Sequence, residues 1–272
     1  MNQNYKLIQL VCNLSVYDVK GDRCPFVINP KLYGVIYANL KISAFQDSTY
    51  VSLNDGKSFY PIKFKRDCSG SGANYYGAEF YFNWSADFIK NNFHNERIVK
   101  FQGEYHGNCS SGSRTFVSFN GGKSWKMLYS KLEKLVISTD GLLMFGTEKM
   151  PGRIWYSFDE RTSYYKKRIV ADGIIDIIPL ESPDSRVIST INYNKRKNIY
   201  SVFAFDFSNA TNRTCQSDDY ETWYVPRYFG NCFQGNEVSY LRKKTFAMCD
   251  NRQSVVLPTI KPCPCSREDF PW

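Results

Sequence analysis

The chain has 272 residues, 43% hydrophobic and 17% aromatic, with a formal net charge of +9. That apolar content can bury a core, so the chain need not be disordered, and the length admits one or two domains. No apolar run approaches the roughly 18 residues needed to cross a bilayer, and residues 1–10 lack the long apolar stretch of a signal peptide.

Twenty Tyr, 20 Phe and 5 Trp suit half-buried pleated strands and predict a β-rich class. The positive charge raises the question of an anionic partner. Its clusters, Lys166-Lys167-Arg168, Lys195-Arg196-Lys197 and Arg242-Lys243-Lys244, lie far apart in sequence and read as solvated turns and strand edges. A nucleic-acid partner is therefore not expected, and no cofactor is read from the sequence.

Residues 1–28 form an N-terminal segment to which the sequence assigns no definite structure. Cys12 and Cys24 flank a short loop there and read as a local disulfide. Beyond it, Thr49-Tyr50-Val51 alternates like a strand and runs into Ser52-Leu53-Asn54-Asp55-Gly56-Lys57-Ser58-Phe59. The same pattern returns at Ser118-Phe119-Asn120-Gly121-Gly122-Lys123-Ser124-Trp125, after Thr115-Phe116-Val117, and defines an S-x-[ND]-x-G-x-S-[FW] repeat. A degenerate third copy, Ser157-Phe158-Asp159-Glu160-Arg161-Thr162-Ser163-Tyr164, keeps Ser, Asp, Ser and an aromatic but loses the glycine.

Strands flank each copy, so each is a hairpin turn. The chemistry is conformational. Asn54, Asn120 or Asp159 can bond amides of its own turn, Gly56 and Gly122 accept positive φ, and the closing aromatic, Phe59 or Trp125, is expected to plug the core beneath.

The copies stand 66 and then 39 residues apart, and a period of roughly 40 to 50 residues is that of four-stranded propeller blades. The longer interval fits if 67–95, rich in Gly, Ser and Asn, is an insertion between blades; Cys68 and Cys109 flank it and read as a second local disulfide. Blades are expected at 34–64, at 97–129, at 135–147 with 154–170, and at 173–180, 186–192 and 199–207. About four blades are too few to close a ring, which leaves open edges on the N-terminal side.

His94 and His106 are the only histidines, and their spacing shows no convergent partners, so neither a metal nor a catalytic role is assigned. After Phe207 five cysteines fall at 215, 232, 249, 263 and 265 among polar turns, the texture of a small module held by disulfides. Neighbours Cys263 and Cys265 are expected to bridge two different earlier cysteines, and an odd count leaves one partner missing. All nine cysteines are disulfide candidates. With five N-x-[ST] sequons, at Asn13, Asn83, Asn108, Asn209 and Asn212, they predict an oxidising, glycosylating compartment. A lumenal chain with neither signal nor anchor is expected to be a fragment of a longer protein.

A resemblance rests on this tail. Asp206-Phe207, Cys215-Gln216-Ser217-Asp218-Asp219-Tyr220-Glu221-Thr222-Trp223, Gly230-Asn231-Cys232-Phe233-Gln234-Gly235, Tyr240-Leu241-Arg242-Lys243-Lys244, Cys249-Asp250-Asn251-Arg252 and Cys263-Pro264-Cys265-Ser266-Arg267-Glu268-Asp269-Phe270 resemble the start of the ten-cysteine module of the sortilin (Vps-ten) family. Upstream, the two full turns resemble that family's Asp-box (BNR) repeats. Gly34-Val35-Ile36-Tyr37 and Ile137-Ser138-Thr139-Asp140-Gly141-Leu142 resemble strands of its late blades. The turn repeat by itself also occurs in sialidases and other propellers.

The resemblance implies an all-β chain: the last four or so blades of an incomplete β-propeller over 29–208, then a truncated cysteine-rich module over 209–272. It further implies a transmembrane sorting and endocytic receptor that binds peptide or protein ligands in the lumen and carries them between Golgi, endosomes and the cell surface. Contact with the membrane would come only through segments downstream of this chain. The family's early blades and their peptide pocket have no counterpart, so no ligand residue is carried over. The family's next cysteine, two positions after its Asp-Phe, is replaced by Trp272.

Two other readings stand beside this one. A sialidase-like Asp-box glycoside hydrolase would recruit Asp159, Asp176, Glu181 and strand tyrosines; against it, Gly152-Arg153-Ile154-Trp155 reads as the lead-in to a strand rather than an Arg-Ile-Pro motif. The third is a secreted, non-enzymatic interaction propeller.

Overall fold

The computed structural model describes residues 9–15, 23–43, 46–62, 64–65, 75–106, 112–128, 132–138, 141, 143–148, 150–160, 163–182, 185–210, 213–249 and 257–265. It divides into two compact units: Met1–Met127 with Tyr224–Val238 and Ile260–Trp272, and Leu128–Trp223 with Ser239–Thr259.

The first unit opens with a four-stranded antiparallel meander, β1 (Phe26–Ile28), β2 (Ile36–Ser43), β3 (Gln46–Ser52) and β4 (Tyr60–Pro61), paired in chain order. A five-stranded meander follows: β5 (Phe64–Lys65), β6 (Tyr75–Phe80), β7 (Val99–His106), β8 (Gly112–Ser118) and β9 (Lys126–Leu128). An up-and-down sheet of this kind is the unit of a propeller blade.

The described part of the 67–95 stretch, residues 75–95, lies within this second sheet, not between blades. It contributes β6, whose Gly77 to Phe80 pair with His106 to Gly103 of β7, and helix α1 (Ala86–Asn92), capped by Ser85 Oγ on Phe88 N. Ala78 and Phe80, alternate residues of β6, are fully buried and give it a period-two apolar face that competes successfully with the polar composition around it.

Aromatic side chains fill this unit. Trp125 lies 4.8 Å from Phe80 and 5.6 Å from Phe101 between ring centroids, and Tyr37 meets Phe101 edge-on at 5.3 Å. Burying each such ring contributes about 2–3 kcal/mol. A polar ladder ties the two sheets: Asn39 Nδ2 donates to Phe80 O at 2.7 Å, Thr49 Oγ1 donates to Asn39 Oδ1 at 2.6 Å, and Phe80 N donates to Thr49 Oγ1 at 2.7 Å. All three residues are buried, so each polar group must find a partner there, and each does.

The second unit holds a four-stranded meander, β10 (Leu132–Ile137), β11 (Met144–Glu148), β12 (Arg153–Ser157) and β13 (Tyr165–Arg168). A three-stranded one follows, β14 (Ile174–Ser182), β15 (Ser185–Asn194) and β16 (Ile199–Asp206). Their shared core is Leu143, Phe145, Ile154, Ile177 and Ile188, with Phe158, Phe205 and Phe207 packed against it. Gly152 makes the lead-in to β12 at φ +68°, where a Cβ would stand 2.4 Å from Ile169 O.

The last strands are β17 (Tyr220–Tyr224), β18 (Cys232–Phe233), β19 (Asn236–Lys243) and β20 (Thr259–Pro262), with β19 pairing all three others. The fold is thus all-β, four blade-type sheets followed by a disulfide-linked segment. No helix among the described residues is long and apolar enough to cross a membrane.

Candidate functional site

The two complete repeat turns carry one hydrogen-bond network, bond for bond. Ser52 Oγ accepts from Gly56 N at 2.8 Å, and Ser118 Oγ from Gly122 N at 2.8 Å. Asn54 Oδ1 accepts from Ser58 N at 3.1 Å and Asn120 Oδ1 from Ser124 N at 2.9 Å, while each Asn Nδ2 donates to the matching Ser Oγ at 2.8 Å. Asp55 and Gly56 have φ +62° and +84°, and Gly121 and Gly122 +67° and +92°, the paired left-handed geometry of a type I′ hairpin turn. In the third copy Asp159 accepts from Ser163 N at 2.7 Å and from Ser157 Oγ at 3.1 Å, and Glu160 takes φ +50° without glycine.

The closing aromatics differ. Trp125 is a buried plug with Nε1 donating to Gly122 O at 3.1 Å, whereas Phe59 is half-buried and Tyr164 exposed. A turn set by its own side chains needs no plug to hold its shape.

Cys215–Cys249 and Cys232–Cys263 are disulfides. Cys265 is an exposed thiol, so of the two neighbours Cys263 alone is bridged. Cys12 is likewise an exposed thiol, and the Cys12–Cys24 bridge expected from sequence is not formed; Cys24 lies in a β-bridge, its amide donating to Phe82 O at 2.9 Å. Cys68 and Cys109 lie outside the described residues. Cys215, Asp219 and Cys249 approach one another within metal-ligand range, but the two sulfurs are spent on each other. Asp219 accepts two bonds from Arg213, at 2.5 and 2.6 Å, and one from Gln216 N, which together hold its carboxyl well below the usual range.

Asn13 and Asn209 are exposed, and Asn83 is half-buried with Oδ1 accepting from Ser85 N; Asn108 and Asn212 lie outside the described residues. Of the acids a hydrolase would need, Asp159 is engaged by its own turn and Asp176 pairs with Lys134 at 3.7 Å. Lys166, Lys167 and Arg168 form an exposed edge strand, and Lys195, Arg196 and Lys197 an exposed turn. Arg242, in contrast, bridges Glu221 at 2.5 Å and Glu160 at 3.9 Å.

Beside that bridge the third turn borders a concavity of about 210 Å³ in the second unit. Phe158, Tyr165 and Met248 supply its apolar lining, Asp159, Ser163 and Thr245 its polar rim, and Phe246 stands on it 71% exposed. Arg242 pairs with Glu160 and Glu221 next door, and the cleft itself offers an apolar slot rimmed by two hydroxyls and the Asp159 carboxylate. That chemistry suits one apolar side chain of a polypeptide. The residues come from the degenerate turn and from 245–248, separated by about 85 residues, and no local sequence pattern connects them.

A second feature that sequence reasoning passed over lies in the first unit. Arg227 is buried, with Nη1 donating to Tyr33 O at 3.1 Å and to Leu53 O at 3.0 Å, and its guanidinium lies 4.1 Å over the Phe233 ring. Tyr228 donates to Val51 O at 2.5 Å, and a Cβ on Gly121 would meet Pro226 at 3.0 Å. The turn ends of the first two blades are thus the seat of the segment 225–233.

Residues 181–271 match the family model described as "Sortilin, neurotensin receptor 3, C-terminal". The chain is 26% identical over 240 residues to Vacuolar protein sorting/targeting protein 10 of Blastomyces gilchristii, covering 81% of this chain and 15% of the relative. It is 26% identical over 171 residues to the protein of that name in Trichophyton verrucosum, covering 57% and 11%. The chain therefore spans only 11% to 15% of the length of these curated relatives. Among solved structures, YCF48 from Cyanidioschyzon merolae aligns over 86% of this chain and 70% of its own, at 8% identity and TM-score 0.25.

Proposed function

We propose that this chain, a member of the sortilin family, is the cargo-facing part of a sorting receptor, which binds peptide or protein ligands on the lumenal side and carries them between Golgi, endosomes and the cell surface. The observation that carries this reading is the match over 181–271, the stretch that holds both disulfides, together with similarity to proteins named for vacuolar sorting. In this reading 29–208 is the blade region and 209–272 the cysteine-rich module, whose oxidised pairs suit an oxidising lumen. Attachment to the membrane is assigned to segments outside this chain.

The cleft around Phe158, Tyr165 and Phe246 is assigned to ligand contact, because a preformed apolar slot holds a side chain without any covalent step. Disrupting the gene is expected to divert soluble hydrolases from the digestive compartment into the medium, and the intact gene to restore them. Normal retention of those hydrolases in the disrupted cells would overturn the sorting assignment. Release of sialic acid from a sialoside by the purified chain would instead favour the hydrolase reading.

A further inference from the structure

The three repeat turns do one conformational job with different side chains. Asn54 Oδ1 accepts from Ser58 N and from Ser52 Oγ, the latter at 3.1 Å, and Asn120 Oδ1 accepts in the same way from Ser124 N and Ser118 Oγ. Asp159 Oδ1 repeats both bonds, from Ser163 N at 2.7 Å and from Ser157 Oγ at 3.1 Å. Two of the three copies thus hold this hairpin with a neutral amide, so the turn does not need the charge on Asp159. A charge that folding does not require points to a task outside the turn.

Asp159 is also the repeat residue that borders the cleft, and it alone among the lining residues is charged. Its Oδ2 receives only one arm of the forked bond from Ser163 N, at 2.8 Å, and a carboxylate oxygen can accept more than that. The described cations next to lining residues in the chain are engaged elsewhere. Lys166, beside Tyr165, bridges Glu148 at 2.6 Å, and Lys244, beside Thr245, donates to Asp218 O at 2.6 Å. Arg242 is shared between two carboxylates, those of Glu160 and Glu221, which leaves the neighbourhood of the third turn one negative charge in surplus before Asp159 is counted. A locally acidic rim on a chain of net charge +9 is a specific feature.

We propose that Asp159 selects the ligand: an apolar side chain of a polypeptide fills the slot, and a Lys or Arg next to it in the ligand pairs with the Asp159 carboxylate. This rests on the assignment of the cleft to ligand contact. Charge complementarity decides the class. A basic neighbour gains a charge-assisted bond at the rim, a neutral one gains less, and an acidic one meets repulsion. The carboxylate is half-buried, so the gain is that of a partly solvated pair.

The test is fluorescence anisotropy with three labelled, capped peptides, Gly-Ser-Leu-Xaa-Ser-Gly with Xaa as Arg, Gln or Glu, on the purified oxidised chain and on its Asp159→Asn and Phe246→Ser variants. The Arg peptide is expected to bind about three to five times tighter than the Gln peptide, and the Glu peptide weakest. D159N, which can keep the bonds that Asn54 and Asn120 make, should erase the difference between Arg and Gln. F246S, at an exposed ring of the slot, should weaken all three alike. An Arg preference that survives D159N, or equal binding of Arg and Gln peptides by a parent chain that F246S still weakens, would overturn selection by Asp159 and leave the cleft assignment standing. No binding by the parent, or binding that F246S leaves unchanged, would overturn both. Should D159N fail to fold, salt decides with the unaltered chain. An ion pair at the rim is screened, so the advantage of the Arg peptide must vanish at high salt, and an advantage that salt does not touch refutes the pairing.

Discussion

The hydroxyl of Tyr37 stands 2.1 Å from the point where a Cβ on Gly122 would lie. Tyr37 is buried in β2 and Gly122 sits in the second repeat turn at φ +92°, so the turn of one sheet closes on a ring of another. Ala at 122 must accept a left-handed backbone, at about 1–2 kcal/mol, and displace a buried ring, at about 1–3 kcal/mol. Gly122→Ala is therefore expected to cost about 3 kcal/mol in urea unfolding. At Gly56, φ +84°, a Cβ meets the mobile end of Leu10 at 2.8 Å, and Gly56→Ala should cost only about 1–2 kcal/mol. Equal losses would show that the Tyr37 contact carries no weight.

Arg227 holds two carbonyls, the partly buried Tyr33 O and the buried Leu53 O, with one guanidinium. Replacing it with Met keeps the apolar stem but leaves both carbonyls without that donor, which should cost about 2–4 kcal/mol. Lys restores a charge yet not the planar fork or the face-on contact with Phe233, and should recover less than half. Thermal melts of Arg227→Met and Arg227→Lys compare the two; a Met variant as stable as the parent would mean that segment 225–233 is seated by Tyr228 and Pro226 without help from Arg227.

These two sites show what the sequence makes legible and what it does not. The Ser-Asn-Gly-Ser pattern is local, and local backbone chemistry decides a type I′ turn, so Ser52, Asn54 and Gly56 can be read at sight. Arg227 and the Asn39–Thr49–Phe80 ladder depend on partners tens to hundreds of residues away, and nothing in their neighbourhood marks them. Strand β6 was hidden by Gly, Ser and Asn around it. Cys12 and Cys24 look like a bridge by proximity in sequence, but a disulfide needs particular Cα geometry that such proximity does not supply, and Cys12 is an exposed thiol in the fold. The cleft escapes for the same reason as Arg227, since its two halves meet only in the fold.

Disulfides Cys215–Cys249 and Cys232–Cys263 span 34 and 31 residues. Closing loops of that size in the unfolded chain contributes about 3–4 kcal/mol each. Removing either pair as Cys→Ala is expected to lower stability by that order, while Cys265→Ser, at an exposed thiol, should change it by less than about 0.5 kcal/mol. Guanidinium titrations of the three variants separate the cases. A large loss with C265S would reveal that this sulfur is bonded in the folded protein.

Acid should loosen the first unit in a definite window. His94 is mostly buried, its Nε2 has no hydrogen-bond partner among the described residues, and burial, with Lys100 near by, lowers its pKa from 6.5 to about 4. Between those values the unfolded chain binds a proton at His94 that the folded chain refuses, so stability is full above about pH 6.5 and falls as pH drops towards 4. The loss can reach about 3 kcal/mol. Asp219, held ionised by Arg213, acts lower, since its stabilisation is present above its unfolded value of 3.8 and disappears only below it. His94→Leu is expected to flatten the stability profile between pH 6.5 and 4 while leaving the steeper fall below pH 4. Melting temperatures across pH 3 to 8 check this, and a His94→Leu profile parallel to the parent's would assign the acid sensitivity to another group.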